Sequence, residues 1–263
     1  MQGGGHVWLA QIDFAPERVA AFWKLLSPEE QRKASCYRLP GVRDRYICAR
    51  GQLRMLLGWY LGIGAAKIQF RYNQYGKPYL SGDCAGRLHF NVAHSRGLAL
   101  YALRSDGEVG VDIEYMNEDV AFGGIAHQFF SPEEYASLCA LPADLRLRAF
   151  YDGWVRKEAY VKAVGRGLHI SLSDFSVSLS PGLPARILGI KHDAAARERW
   201  CLSELAVPVR YTAAIAAEGE YLRLSCWRYP EGGIECSGNV RGQVSRLPAL
   251  SFDTWPAWRA PAG

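Results

Sequence analysis

No stretch of this 263-residue sequence is long and apolar enough to cross a bilayer. The longest apolar run, 55–66, is interrupted by glycines at 58, 62 and 64 and is about half of the roughly 20 residues a spanning helix needs. The first residues show no basic segment leading into an apolar one, so no secretion signal is expected. There is no CxxC pair and no histidine at metal-ligand spacing, and the seven cysteines are an odd number scattered from Cys36 to Cys236. That pattern excludes a disulfide framework or a thiolate zinc site as the organising device and suits reduced thiols in a cytoplasmic protein. Short-period repeats, low-complexity runs, a Walker lysine loop, a paired-aspartate nuclease motif and an RNP-like aromatic pattern are all missing. The net charge of +5 is too small to identify a polyanion binder by itself.

What is present is the composition of a globular protein, 49% hydrophobic and 22% charged, sized for one large domain or two small ones. The charge is unevenly spread. Residues 1–111 carry 15 Lys/Arg against 8 Asp/Glu, a balance of +7, whereas 112–263 carry 16 against 18, a balance of −2. A basic half followed by a slightly acidic one suggests phosphates on one side and carboxylates on the other. Period and cap signals predict a strand over 6–14, helices over 16–26, from Ser27 onward and over 44–61, and strands over 68–72, 78–80, 88–92 and 98–103. A second series follows: a strand over 109–115, helices over 125–130, 132–141 and 143–164, and strands over 175–179, 200–205, 211–216 and 221–227. Helices mixed with short, hairpin-compatible strands, without a βαβα alternation, predict an α+β fold. The similar element order of the halves suggests a duplication. From Pro230 the chain turns rich in Gly, Pro and Ser and reads as an irregular tail.

Three constellations can carry chemistry. In Glu108-Val109-Gly110-Val111-Asp112-Ile113-Glu114, residues two apart on a strand point the same way, so Asp112 and Glu114 share a face opposite Val109, Val111 and Ile113. Two carboxylates about 6–7 Å apart repel unless a cation lies between them, and Mg²⁺ takes such oxygen ligands; a solvated acidic face is the plainer alternative. On the helix running from Asp152, Glu158 and Lys162 stand one turn apart. That spacing fits a surface ion pair, but the aromatic setting of Tyr151 and Trp154 makes a stray buried pair costly and leaves room for a third metal-binding carboxylate. The basic features are Lys77, on a Gly–Pro turn, and His94, between a strand and a glycine turn. Turn N–H groups beside Lys or protonated His make an anion seat, to which Arg45 and Arg50 of the long helix could add.

Gly76-Lys77-Pro78, Phe90-Asn91-Val92-Ala93-His94-Ser95, Val109-Gly110-Val111-Asp112-Ile113-Glu114, and Trp154 with Lys157-Glu158 and Lys162 stand in this order. They resemble the GKP, FN-x-SHS, (V/I)G(V/I)D(I/V)E and W-x-x-KE-x-x-x-K motifs of the phosphopantetheinyl transferase family. The likeness is to the larger single-chain type, which activates peptide and polyketide synthetases. Phe129-Phe130-Ser131-Pro132-Glu133-Glu134-Tyr135 resembles the family's FFS-x-x-EY helix start, and 27–54 its basic N-terminal helices. Ala93 replaces a frequent serine, leaving its backbone N–H to serve, and Glu30 stands where some relatives have lysine.

The resemblance implies two α+β subdomains related by a pseudo-two-fold axis, 1–108 and 109–229, with the active site in the cleft between them and 230–263 as the tail. It implies a Mg²⁺-dependent holo-acyl-carrier-protein synthase, with Mn²⁺ an alternative ion. This enzyme moves 4′-phosphopantetheine from coenzyme A to a carrier-protein serine and releases 3′,5′-ADP. Coenzyme A would lie on Arg45, Arg50, Lys77, Ala93, His94, Asp112, Glu158 and Lys162, with Lys33 a further candidate. The metal would lie on Asp112, Glu114 and Glu158. Lys162 would counter charge on the pyrophosphate, and either Glu158 or Glu134 would take the serine proton. The implied partners are apo acyl or peptidyl carrier proteins, met near 122–130, with no nucleic acid and no membrane, and the protein is expected to be a monomer. Two other readings predict different behaviour: a non-catalytic nucleic-acid binder would bind with a steep salt dependence, and another Mg²⁺-dependent phosphoryl-transfer enzyme would share the metal set.

Overall fold

Two Ser-Pro-Glu-Glu sequences set the frame of both halves. In each, the serine hydroxyl accepts the N–H of the second glutamate, and that glutamate's carboxylate accepts the serine N–H. The distances are 3.3 and 2.8 Å for Ser27 and Glu30, and 3.2 and 2.7 Å for Ser131 and Glu134. Such reciprocal boxes satisfy two otherwise orphaned helix donors. They start α2 (Pro28–Ser35) and α5 (Pro132–Ala140). Each short helix leads into a helix of 22 residues, α3 (Pro40–Leu61) and α6 (Ala143–Val164). Both long helices stop at a glycine in the left-handed region, Gly62 at φ 70° and Gly165 at φ 74°, where a side chain would be strained.

The computed structural model describes residues 4–180, 182–191, 193, 195–220 and 222–230; apart from Pro230, the expected tail lies outside them. The first half runs β1 (Gly4–Gln11), α1 (Pro16–Trp23), α2, α3, a β2 (Phe70–Tyr72) and β3 (Pro78–Leu80) hairpin, β4 (His89–Ser95) and β5 (Leu98–Arg104). The second runs β6 (Val109–Tyr115), α4 (Phe122–Phe129), α5, α6, a β7 (Phe175–Val177) and β8 (Ile187–Ile190) hairpin, α7 (Ala196–Arg199), β9 (Trp200–Glu204) and β10 (Tyr211–Glu218). The main sheets are ordered β1-β5-β4 and β6-β10-β9, the same arrangement of first, last and penultimate strand. The α+β expectation and the repeated order therefore hold. One boundary differs. β11 (Arg223–Arg228) pairs in parallel with β1, so the last described strand extends the first sheet and not the half that precedes it. Pairing partners of a strand cannot be read from its own residues, which explains the miss. β8 and α7 also carried too little periodicity to predict. No helix among the described residues is long and apolar enough to cross a membrane.

Strand alternation divides the interior into three cores. Trp8, Ala99, Tyr101 and Leu103 pack with α3; Ala214 and Ala216 pack with α6. The alternate residues Val7, Leu9, Leu100, Ala102, Val111, Ile113, Ala213 and Ile215 form a third core that joins the two sheets. Val109, Val111 and Ile113 thus face the other sheet, which leaves Gly110, Asp112 and Glu114 on the α6 side of β6. The approach there is close: a Cβ on Gly110 would run into the Ala159 carbonyl and the Ala163 N–H of α6. Gly110 is required because no side chain fits between strand and helix. Gly110→Ala should destabilise the protein by about 1–3 kcal/mol, the usual cost of overpacking, measured by chemical denaturation. Wild-type stability in this variant would contradict the close contact.

Candidate active site

The contact between β6 and α6 concentrates charge. Asp112 is buried at 4% exposure; Lys162 Nζ, from α6, donates to its Oδ1 at 2.5 Å. Asp112 Oδ2 is buried without a hydrogen-bond partner. Burial raises the Asp112 pKa against the pull of Lys162. Two residues on, Glu114 Oε2 accepts a hydrogen bond from Ser95 Oγ at 2.8 Å, and the same oxygen of Ser95 accepts the Tyr115 N–H at 3.0 Å. Glu158, one turn before Lys162, completes the group. Burial, and then the charge of Asp112, raise the pKa of both Glu114 and Glu158. Burial alone would lower Lys162, but Asp112, Glu158 and Glu114 outweigh it and raise it.

Three carboxylates that repel one another across a buried space, with one lysine between them, are short of positive charge. The unpartnered Asp112 oxygen makes the same point, since a buried carboxylate oxygen without a partner is costly. A hard dication suits that oxygen-only set. Among the described residues no group of three or more His, Cys, Asp or Glu side chains is arranged to hold a metal ion as it stands, and Lys162 occupies the Oδ1 side of Asp112. Beside this group opens a cavity of about 350 Å³, lined by Glu158, Lys162 and Lys77 together with Tyr75, Pro78 and Ile170 among others.

The expected phosphate residues are less concentrated. His94 is exposed, yet the surrounding protein, and then the charges of Lys162 and Arg45, hold its pKa below the ordinary value. Arg45 donates to both oxygens of Asp13, at 2.6 and 3.2 Å, on the surface. Ala93 puts its methyl into the core between the sheets, on the edge strand β4, and Lys33 lies over the Tyr46 ring.

Several of the expected residues meet partners that sequence could not reveal. Arg50 is spent on Glu30 at 2.5 Å, on the Tyr72 hydroxyl at 2.9 Å and on the face of Phe70. Arg54, one turn further along α3, is 1% exposed and bound to the same glutamate at 2.7 Å. Burial would raise the Glu30 pKa, but the two arginines and the Ser27 N–H lower it. Glu134 is 2% exposed, caps α5, accepts the Val177 N–H at 2.7 Å and pairs with fully buried Lys157 at 2.7 Å. Lys77 lines the same cavity and gives its ammonium to Glu108 at 2.5 Å and the Ala163 carbonyl at 2.8 Å. In the 122–130 stretch, Phe130 is core and Phe122 and Phe129 pack against it, so its exposed surface is chiefly Gly123, Gly124, His127 and Gln128.

Sequence reasoning assigned no role to Ser95, which steadies Glu114, to Asn91, whose Oδ1 accepts the Val111 N–H at 3.0 Å, or to Glu108. The last was findable, because period two puts Glu108 in phase with Asp112 and Glu114. The first two bind across halves, and nothing local signals that.

Residues 108–216 match the family model of the 4′-phosphopantetheinyl transferase superfamily. The chain is 32% identical over 225 residues to the 4′-phosphopantetheinyl transferase HetI of Nostoc sp. strain PCC 7120, covering 85% of this chain and 92% of that protein. It is 32% identical over 160 residues to the 4′-phosphopantetheinyl transferase Sfp of Bacillus subtilis strain 168, covering 60% and 68%. A looser likeness links it to the solved holo-acyl-carrier-protein synthase of Thermotoga maritima, with TM-score 0.35 and 22% identity over 43% of this chain and 64% of that one. The matched region contains Asp112, Glu114, Glu158 and Lys162, and the likeness to HetI runs through nearly the whole of both proteins: this chain belongs to the 4′-phosphopantetheinyl transferase superfamily.

Proposed function

We propose that this protein transfers 4′-phosphopantetheine from coenzyme A to a serine of an acyl or peptidyl carrier protein. The observation that carries the reading is the cation-deficient group of Asp112, Glu114 and Glu158, with Lys162 among them, at the end of a cavity between the halves. The two halves would divide the donor. His94, with Arg45 beside it, would meet the 3′-phosphate and adenosine from the basic half, and the carboxylates and Lys162 would meet the pyrophosphate from the other. Asp112, Glu114 and Glu158 would hold a magnesium ion, which when bound neutralises diphosphate charge.

The chemistry left to the chain is positioning and proton handling, which is what phosphoryl transfer asks of a protein. The carrier serine oxygen bonds to the phosphorus next to pantetheine, the bond from that phosphorus to the bridging oxygen breaks, and 3′,5′-ADP leaves. Glu158 accepts the serine proton. Its raised pKa suits a base closer to the working pH than an ordinary carboxylate. Lys162 Nζ, anchored on Asp112, stays protonated and offers its remaining donors to the diphosphate oxygens. The buried pair of Glu134 with Lys157, whose loss would cost about 3–5 kcal/mol, favours Glu158 over Glu134 as the base.

Incubation with apo carrier protein, coenzyme A and Mg²⁺ should raise the carrier's mass by one phosphopantetheine group. Asp112→Ala should abolish the gain. Retention of nucleic acid with no mass gain would favour the binder instead.

Glu158→Gln should cut transfer by about 10²-fold or more while coenzyme A still binds. Because Glu158 is disfavoured by burial and by Asp112, the same variant should melt above wild type in metal-free buffer. A fully active variant would remove Glu158 from the mechanism.

Metal affinity should climb with pH. The carboxyl pKa values are raised in the metal-free state, and a bound cation must lower them, so protons are displaced on binding. Calorimetry in buffers of different ionisation enthalpy should therefore register proton release upon Mg²⁺ addition. The release should be greatest at and just above the ordinary carboxyl range near pH 4 and fade toward neutrality. Affinity flat across that window would mean that these carboxylates do not bind the ion.

A further inference from the structure

The last turn of an α-helix leaves carbonyl groups without partners inside the helix, and α6 has its own completed by the opposite half of the molecule. The Gly165 N–H returns to the Val161 carbonyl at 2.9 Å. The next acceptors are reached from the loop between β2 and β3: Lys77 Nζ donates to the Ala163 carbonyl and Asn73 Nδ2 to the Gly165 carbonyl, each at 2.8 Å. That loop is built for the task. Asn73 Oδ1 accepts the N–H groups of both Tyr75 and Lys77 at 2.9 Å, and Gly76 takes φ 89° at the turn. By contrast α3, with the same length and the same glycine stop, closes its end locally, through Gly62 and Ile63 N–H groups returning to the Gly58 carbonyl.

An ammonium group has three donors and accepts nothing. In Lys77 they are directed at Ala163, at the Val109 carbonyl 3.4 Å away and at Glu108 Oε2 at 2.5 Å. The Lys77 side chain is 14% exposed. His89 Nδ1 lies 3.1 Å from the other Glu108 oxygen, and the bonds from His89 and Lys77 hold the Glu108 pKa near 2 against burial. A donor phosphate would have to displace these partners to reach Lys77.

We propose that Lys77 is a positioning residue, with Glu108 as its counter-charge, that fastens the C-terminal turn of α6 and thereby fixes Lys162 and Glu158 against Asp112. Lys162 is the residue before the clamped carbonyl, and Glu158 is one turn further back. The proposal rests on the transferase reading for its catalytic consequence, but the clamp itself can be tested without it.

The test uses the full chain as wild type, Lys77→Met, Glu108→Gln and the double variant. Transfer is measured at saturating coenzyme A, coenzyme A affinity by calorimetry, and amide exchange over 161–166. Lys77→Met should lower kcat by about 10-fold or more, since small misplacements of reacting groups cost that much, while Kd for coenzyme A changes less than about threefold, the signature of a lost positioning contact. Glu108→Gln should act in the same direction and more weakly. The double variant should match Lys77→Met, because Glu108 works through the lysine. Exchange over 161–166 should quicken in Lys77→Met while α3 is unchanged. A Kd raised about 10-fold or more with kcat intact would make Lys77 a ligand and overturn the proposal; so would additive effects in the double variant or unchanged exchange. If Lys77→Met does not fold, Glu108→Gln decides by the same division between kcat and Kd. A wild-type chain without transfer would refute the transferase reading, and the exchange measurement would still decide on the clamp.

Discussion

A helix can lie against a strand closely enough to bring charges from both into one buried space only where the strand gives up a side chain. Gly110 is that concession. Because nothing projects from it, α6 settles onto β6 until Lys162 touches Asp112, and Glu158 comes within electrostatic reach of the same carboxylate. The resulting group is disfavoured by its own charge, so the rest of the fold has to hold it. Ser95 steadies Glu114 from the first half, the Asn73–Lys77 loop completes the end of α6, and the alanine-rich strand β10 supports β6 from the side. Instability concentrated at one point and rigidity around it are the usual relation between a reactive site and its scaffold.

The two halves share a plan and differ in their chemistry at corresponding points. Each capping glutamate reaches from a short helix to a buried cation on the following long one: Glu30 to Arg54 and Glu134 to Lys157. In the first half the arrangement recruits Arg50 as well, drawing basic charge inward and away from solvent. In the second, the lysine bonds to the Leu172 and Phe175 carbonyls, which leaves the next residue, Glu158, to face the cavity. The same latch thus serves packing twice, and in the second half it also aims a functional side chain.

That difference explains how much of the site was legible. Period two on β6 assigned Asp112 and Glu114 to one face, and the spacing of one turn on α6 paired Glu158 with Lys162; both follow from backbone geometry alone. The basic residues were harder. Arg50, Arg54 and Lys77 look like available cations in sequence, because a formal charge shows nothing of the carboxylate that answers it from 20, 24 or 31 positions away. The same holds for Glu134: its capping role is visible in Ser131 and Pro132, but its buried lysine is not.

The sequence by itself determined the α+β class, most element boundaries, the repeated order of the halves and the face on which the acidic strand carries its carboxylates. These are local matters of period, caps and turns. The tertiary structure decided which charges remain free to act, that β11 returns to the first sheet, and that a turn in one half finishes a helix in the other. Those outcomes depend on which distant groups meet, and side-chain spacing along a chain carries no record of that.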